Sequence, residues 1–210
     1  MPDAIDYNTL VRMLKGAVAQ IRENHPALSR LDSFGGDGDH GTTMLRAMEL
    51  MGKTIDSSTT QQLPQLLNDI GWAIMGVDGG ATGPLLGTFF MSMSEGASGK
   101  DFLDAPTLTA VFEAGLAGVQ HRTKAQVGDK TMIDALVPAV RALGQAPDLA
   151  TALQNAAAAA QSGADSTRNL KAKFGRAKNV GDKSIGSPDP GATSVALIFR
   201  GFYEGFQSHG

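Results

Sequence analysis

Three aspartates fall within eight residues in the segment Asp32-Ser33-Phe34-Gly35-Gly36-Asp37-Gly38-Asp39-His40-Gly41. Carboxylates this close repel one another unless a cation neutralises them. Hard oxygen donors in a chain without cysteine favour Mg²⁺ or Ca²⁺ over softer metals. The EF-hand is excluded, because its twelfth position needs a glutamate. Counting from Asp37 reaches Met48, and counting from Asp32 reaches Thr43. The alternative is an Asp/Gly turn that caps the next helix. His40, taken alone, is more often structural than catalytic.

Three further segments hold unusual chemistry. Val77-Asp78-Gly79-Gly80-Ala81-Thr82-Gly83-Pro84 leads into an apolar stretch. It has the logic of a phosphate cradle, with glycines for close backbone approach and first-turn N–H groups aimed at an anion. It lacks the Gly-Lys-Ser/Thr of a Walker loop, and a plain glycine-rich helix–helix turn is the other reading. Arg122–Met132 contains Gly128-Asp129-Lys130-Thr131, in which Asp129 or Thr131 can cap a helix and Lys124 and Lys130 can neutralise phosphate. Gly175–Gly191 is long and basic, with Arg176, Lys178 and Lys183 opposed locally by Asp182. Single-stranded nucleic acid fits it poorly, since Phe174 is the only aromatic nearby for stacking. An arginine beside an Asp189-Pro190-Gly191 turn suits a polyphosphate better.

The elements that must position these loops read as helices. Leu10, Leu14, Val18 and Ile21 mark the first, and Met44, Met48 and Met51 the second. Leu66 through Val77 form the third stripe. The fourth has Pro84 in its first turn and carries Leu85 to Met93. Thr107 is the expected cap of the fifth, which runs through Val119. Met132 to Leu143 make a sixth, expected to distort at Pro138; the seventh spans about Asp148 to Leu170, and Val195 to Phe206 make the eighth. The expectation is an all-α single domain over residues 1–210, a closed barrel or bundle of about eight antiparallel amphipathic helices. In such an arrangement alternate loops emerge at the same end, so all four unusual loops converge.

Composition agrees. Of 210 residues 42% are hydrophobic and 19% charged, an ordinary globular balance. The absence of cysteine excludes disulfides, thiolate metal sites and cysteine nucleophiles. A net charge of -3 offers no general attraction to nucleic acid or anionic lipid, and no run is long and apolar enough to span a membrane. The expected location is cytoplasmic. The 26 glycines exceed the usual share of about 7%, and many lie in the four loops. Three aspartates, a glycine cradle and a basic loop at one end describe a Mg²⁺–nucleotide site with no nucleophile or general base of its own.

The motifs Gly36-Asp37-Gly38-Asp39-His40-Gly41, Gly79-Gly80-Ala81-Thr82-Gly83-Pro84, Gly128-Asp129-Lys130-Thr131-Met132, Gly175-Arg176-Ala177 and Asp189-Pro190-Gly191-Ala192-Thr193-Ser194 occur in one order across nearly the whole chain. In that order the sequence resembles the nucleotide-binding L subunit of dihydroxyacetone kinase. The resemblance implies an eight-helix barrel holding ADP or ATP with two Mg²⁺ ions. It implies Asp32, Asp37 and Asp39 as metal ligands. It implies nucleotide contacts from His40, Gly41, Thr42, Thr43, Ala81, Thr82, Thr123, Met132, Arg176, Asp189, Pro190 and Gly191. Thr123 stands where relatives can have glycine, and Thr82 where they can have serine.

The resemblance further implies a separate K subunit that binds the ketone and supplies acid–base groups. In the phosphotransferase-system form of the enzyme, a phosphohistidine M subunit rephosphorylates ADP in place. Other readings are a kinase of another ketose or small polyol using exchangeable ATP, a nucleotide-binding module acting on a transcriptional regulator, and a metal-dependent hydrolase.

Overall fold

The computed structural model describes residues 3–208. Among them are eight α-helices: α1 (Tyr7–Asp32), α2 (His40–Ser57), α3 (Leu63–Met75), α4 (Thr82–Gly96), α5 (Ala105–Arg122), α6 (Ile133–Leu143), α7 (Leu149–Ser166) and α8 (Pro190–Gln207). Each packs on the next in sequence, and α8 returns to α1, which closes the ring. Among the described residues the one β feature is an isolated antiparallel bridge between Ile5 and Leu103.

Apolar stripes at helical spacing face inward and fill the barrel. Phe112 of α5 meets Phe89 of α4 edge-on at 5.9 Å between ring centroids, and reaches Phe199 and Phe202 of α8 at 5.6 and 5.9 Å. These aromatic contacts bind the fourth, fifth and eighth helices across the interior, where ring edges and faces pack favourably.

Glycines set the closest helix contacts. A Cβ on Gly16 of α1 would overlap the carbonyl of Gly201 of α8, one on Gly201 the backbone of Ala17, and one on Gly205 the carbonyl of Arg12. The seam that closes the barrel therefore depends on three positions without side chains. Gly115 and Gly118 of α5 serve the same purpose against α4, beneath Phe89 and Ser92 respectively.

Several boundaries differ from the sequence expectation. The side chain of Asp104, not Thr107, caps α5, accepting from the Thr107 N–H at 2.9 Å, because Pro106 fits the first turn and moves the cap upstream. α3 ends at Met75, leaving Val77 buried in the following loop. α7 ends at Ser166 and tightens into a 3₁₀ turn at Thr167–Asn169. α6 runs unbroken through Pro138. The Asp134 carbonyl, which Pro138 cannot bond, faces Gly163 of α7 instead. Part of the long basic loop is itself ordered, as 3₁₀ turns over Arg176–Ser184 with a kink at Gly181.

Candidate functional site

The four loops meet, as alternate connections of a closed antiparallel ring must. Together they line one cavity of about 330 Å³, with Asp32 and His40 from the first, Ala81 and Thr82 from the second, Thr123 and Met132 from the third, and Arg176, Asp189, Pro190 and Gly191 from the fourth. Ten of the fifteen expected site residues thus line one cavity. Gly41, Thr42, Thr43, Asp37 and Asp39 do not line the cavity itself.

Asp37 and Asp39 stand at its rim. One carboxylate oxygen from each of Asp32, Asp37 and Asp39 lies within 4.8 Å of the other two. The loop builds this cluster from backbone: Asp32 Oδ2 accepts from Gly38 N–H at 2.9 Å, and Gly38 takes φ 79°, a conformation natural to glycine. A Cβ on Gly36 would strike the Asp32 carboxylate, so that glycine keeps the acid in place. Burial, and then the neighbouring Asp37, hold the Asp39 carboxyl above the usual range. Burial also works against ionisation of Asp37, but its hydrogen bond with Asp39 and the Arg176 guanidinium bring it below that range. Arg176 pairs with Asp37 and lies 3.6 Å from Asp39. One guanidinium against three carboxylates leaves a surplus of negative charge. This all-oxygen donor set suits a small hard cation.

Helix termini add the complementary field. At the far end α1, α5 and α7 are capped by the side chains of Asp6, Asp104 and Asp148. At the site end α2 and α4 have no side-chain cap hydrogen bond. His40 N–H of α2 turns to Asp32 Oδ2 at 3.4 Å and Thr43 N–H bonds the Asp39 carbonyl. This leaves Gly41 and Thr42 N–H of α2 and Thr82 N–H of α4 for water or an anion, and the helix dipoles favour negative charge there. α8 is the exception at this end, since Asp189 Oδ2 accepts from Ala192 N–H at 2.7 Å. Burial pushes the Asp189 carboxyl up to about 7.

The remaining expected residues have specific surroundings. His40 Nε2 is 3.2 Å from Ser194 Oγ, and burial holds its pKa below the ordinary histidine value. Gly41 serves packing, because a Cβ there would overlap the His25 carbonyl of α1. Thr42 is exposed and donates to the Asp39 carbonyl at 2.8 Å. Thr43 is buried beneath Gly79, and its hydroxyl has no partner. Thr123 Oγ1 accepts from Ala125 N–H at 3.1 Å with an extended backbone, φ -131°, so a side chain is accommodated without strain.

Two expectations for the third loop change. Lys130 is buried with its ammonium bonded to protein carbonyls, so it is not a free phosphate ligand. Asp129 does not cap α6; it accepts from Gln126 N–H and pairs with Lys173 at 2.7 Å. Thr131 Oγ1 does accept from the Ile133 N–H that opens α6, at 3.2 Å, and Asp134 in the first turn reaches back to accept from Thr131 N–H at 2.7 Å and Gly128 N–H at 2.6 Å. The signal for Asp134 was present as Thr131-x-x-Asp134, the spacing of a capping box. Phe34 and Phe174 also line the cavity while partly exposed, giving it apolar walls that acid and glycine counting does not reveal.

The DAK2 domain family profile matches residues 35–204. The chain belongs to the DAK2 domain family. This DAK2 chain is 40% identical over 195 residues to the ADP-binding subunit DhaL of the PEP-dependent dihydroxyacetone kinase 1 of Listeria innocua, covering 93% of this chain and 94% of that protein. It is 37% identical over 177 residues to the corresponding Escherichia coli subunit, covering 82% and 84%. Among solved structures it superposes on the dihydroxyacetone kinase of C. freundii in complex with AMP-PNP and Mg²⁺, with a TM-score of 0.74 and 29% identity. That match covers 94% of this chain but 34% of the C. freundii chain, so the DAK2 domain corresponds to about a third of the larger enzyme. By kinship it is a kinase subunit. Among the described residues no helix is long and apolar enough to cross a membrane.

Proposed function

We propose that the chain carries the nucleotide for a dihydroxyacetone kinase, holding Mg²⁺–ADP or Mg²⁺–ATP where the four loops meet and passing the terminal phosphoryl group to a ketone held elsewhere. The observation that carries this reading is one cavity bordered by the Asp32–Asp37–Asp39 cluster, the uncapped α2 and α4 termini and Arg176. Mg²⁺ bound by the three aspartates would offset the charge of the polyphosphate. The chain's own groups then divide the work. The first-turn N–H groups of α4 at Thr82 and of α2 at Gly41 and Thr42 donate to phosphate oxygens, while His40 and Thr43 border them. Arg176 offers a planar pair of donors from the opposite side. Met132, Thr123 and the Asp189–Gly191 turn form the part of the cavity that suits the nucleoside.

The acceptor and its acid–base groups would come from a K subunit. His40 Nε2 lies 3.2 Å from Ser194 Oγ at the cavity, but the Ser194 hydroxyl donates to the Gly191 carbonyl at 2.9 Å, so this pair does not present a serine activated by a base. Similarity over nine-tenths of a PEP-dependent ADP-binding subunit supports the version in which ADP stays bound and a phosphohistidine M subunit recharges it. The natural test is gel filtration of the purified chain with Mg²⁺, followed by nucleotide analysis. Retained ADP that is phosphorylated by the M subunit, and then supports transfer to dihydroxyacetone on the K subunit, is the expected result. Loss of nucleotide together with turnover on free ATP would favour the exchangeable-ATP kinase, and phosphate release without acceptor would favour a hydrolase.

A further inference from the structure

Lys130 is the only non-glycine among the described residues with positive φ, at 61°. A side-chain-bearing residue persists in that region only where its surroundings over-determine it, and such residues gather at functional sites. Its surroundings do so here. Lys130 is 4% exposed, and Nζ donates to the Thr167 carbonyl at 2.6 Å and the Ser187 carbonyl at 2.6 Å. Asp134 fixes both flanks by accepting from Gly128 N–H and Thr131 N–H. Thr167 completes the clamp, because its Oγ1 accepts from Asp189 N–H at 2.8 Å while being fully buried. Ionisable groups facing the ammonium are Asp189, Asp134 and Arg168.

We infer that Lys130 is a positioning residue for nucleotide binding: its ammonium ties the third loop to the Ser187–Asp189 turn and so fixes Met132 against Gly191 across the cavity. A Cβ built on Gly191 would lie 3.5 Å from Met132 N, which shows how closely the two lips approach. Two bonds from a buried cation to carbonyls of separate segments leave it no role as a direct phosphate ligand. The strained backbone identifies the side chain as what is needed at this position, since glycine would hold the same turn more easily. The inference rests on the nucleotide reading above.

The test uses the full chain, first without nucleotide. Lys130→Met keeps length and bulk but removes the donors. It should lose amide protection at Asp189 and around Ser187 by at least tenfold in hydrogen exchange, while the core of α1 and α8 exchanges as in the parent. ADP with Mg²⁺ should then bind at least tenfold more weakly, and Lys130→Arg, which restores a cationic donor, should recover most of both losses. Parent-like protection in Lys130→Met, or ADP affinity within twofold of the parent, would overturn the inference. So would failure of Lys130→Arg to recover more than Lys130→Met. Thr167→Val keeps the test open if Lys130→Met does not fold: it should shift Asp189 protection and ADP affinity in the same direction, and parent-like values of both would count against the clamp. If the parent itself binds no ADP, the nucleotide reading fails, and the protection measurements still decide whether Lys130 holds the turn.

Discussion

Arg176 of the fourth loop rests on the carboxylate of Asp37 in the first, with Asp39 3.6 Å from the same guanidinium nitrogen. A cation from the protein thus occupies the place where the acidic cluster calls for one. All three side chains remain roughly half exposed, so solvent screens the pairing and a divalent ion can displace it.

Arg176→Ala therefore has two effects of opposite sign. Removing the competing guanidinium should tighten binding of Mg²⁺ alone by a few-fold. Removing the donors proposed for phosphate should weaken ADP by at least tenfold. Calorimetry with each ligand separately checks both; ADP affinity equal to the parent's would remove Arg176 from the site.

Asp37→Ala and Asp39→Ala each remove one carboxylate of the acidic cluster without opening an apolar cavity. Mg²⁺-dependent ADP retention should be lost while the helical circular-dichroism signal stays intact. Full retention in both variants would refute the metal assignment.

Asp189 gives a pH dependence with a definite sign. Its folded pKa, about 7, lies above the ordinary aspartate value, so between about pH 4 and pH 7 the folded chain holds a proton that the unfolded chain has released. The associated stability is full below about pH 4 and is lost as pH rises through about 7, a change on the order of a few kcal/mol. Asp189→Asn keeps an acceptor for Ala192 N–H and removes the titration. Its melting temperature, taken without nucleotide, should fall less than the parent's over that window. Identical pH profiles for the two proteins would contradict burial of an ionisable Asp189.

Gly201→Ala tests the barrel rather than the site. The added methyl would overlap the backbone of Ala17, and overpacking of this kind costs about 1–3 kcal/mol. The urea midpoint should drop accordingly, while ADP binding by the folded fraction remains within a few-fold of the parent. An unchanged midpoint would show that the α1–α8 seam is looser than described.

The helices and the convergence of their loops were legible because periodicity of apolar residues records which face is buried, and a closed ring then assigns the loop ends. The acid cluster was legible for a similar local reason: Asp32, Asp37 and Asp39 are gathered by one turn. What was not legible depends on partners distant in sequence. Gly115 and Gly118 look misplaced in a helix until Phe89 and Ser92 are set against them. Lys130 looks like a surface cation until Thr167 and Ser187 close over it. The α5 cap is local in sequence too: Pro106 in the first turn favours Asp104 over the hydroxyl of Thr107.

The central claim is that the acidic cluster and the four-loop cavity form one Mg²⁺–nucleotide site. The most direct measurement is an equilibrium titration of the nucleotide-stripped chain with ADP, run once in Mg²⁺ and once in excess EDTA. The account predicts one ADP per chain in Mg²⁺ and at least a hundredfold weaker binding in EDTA. Equal affinity under both conditions, or no binding under either, would contradict it.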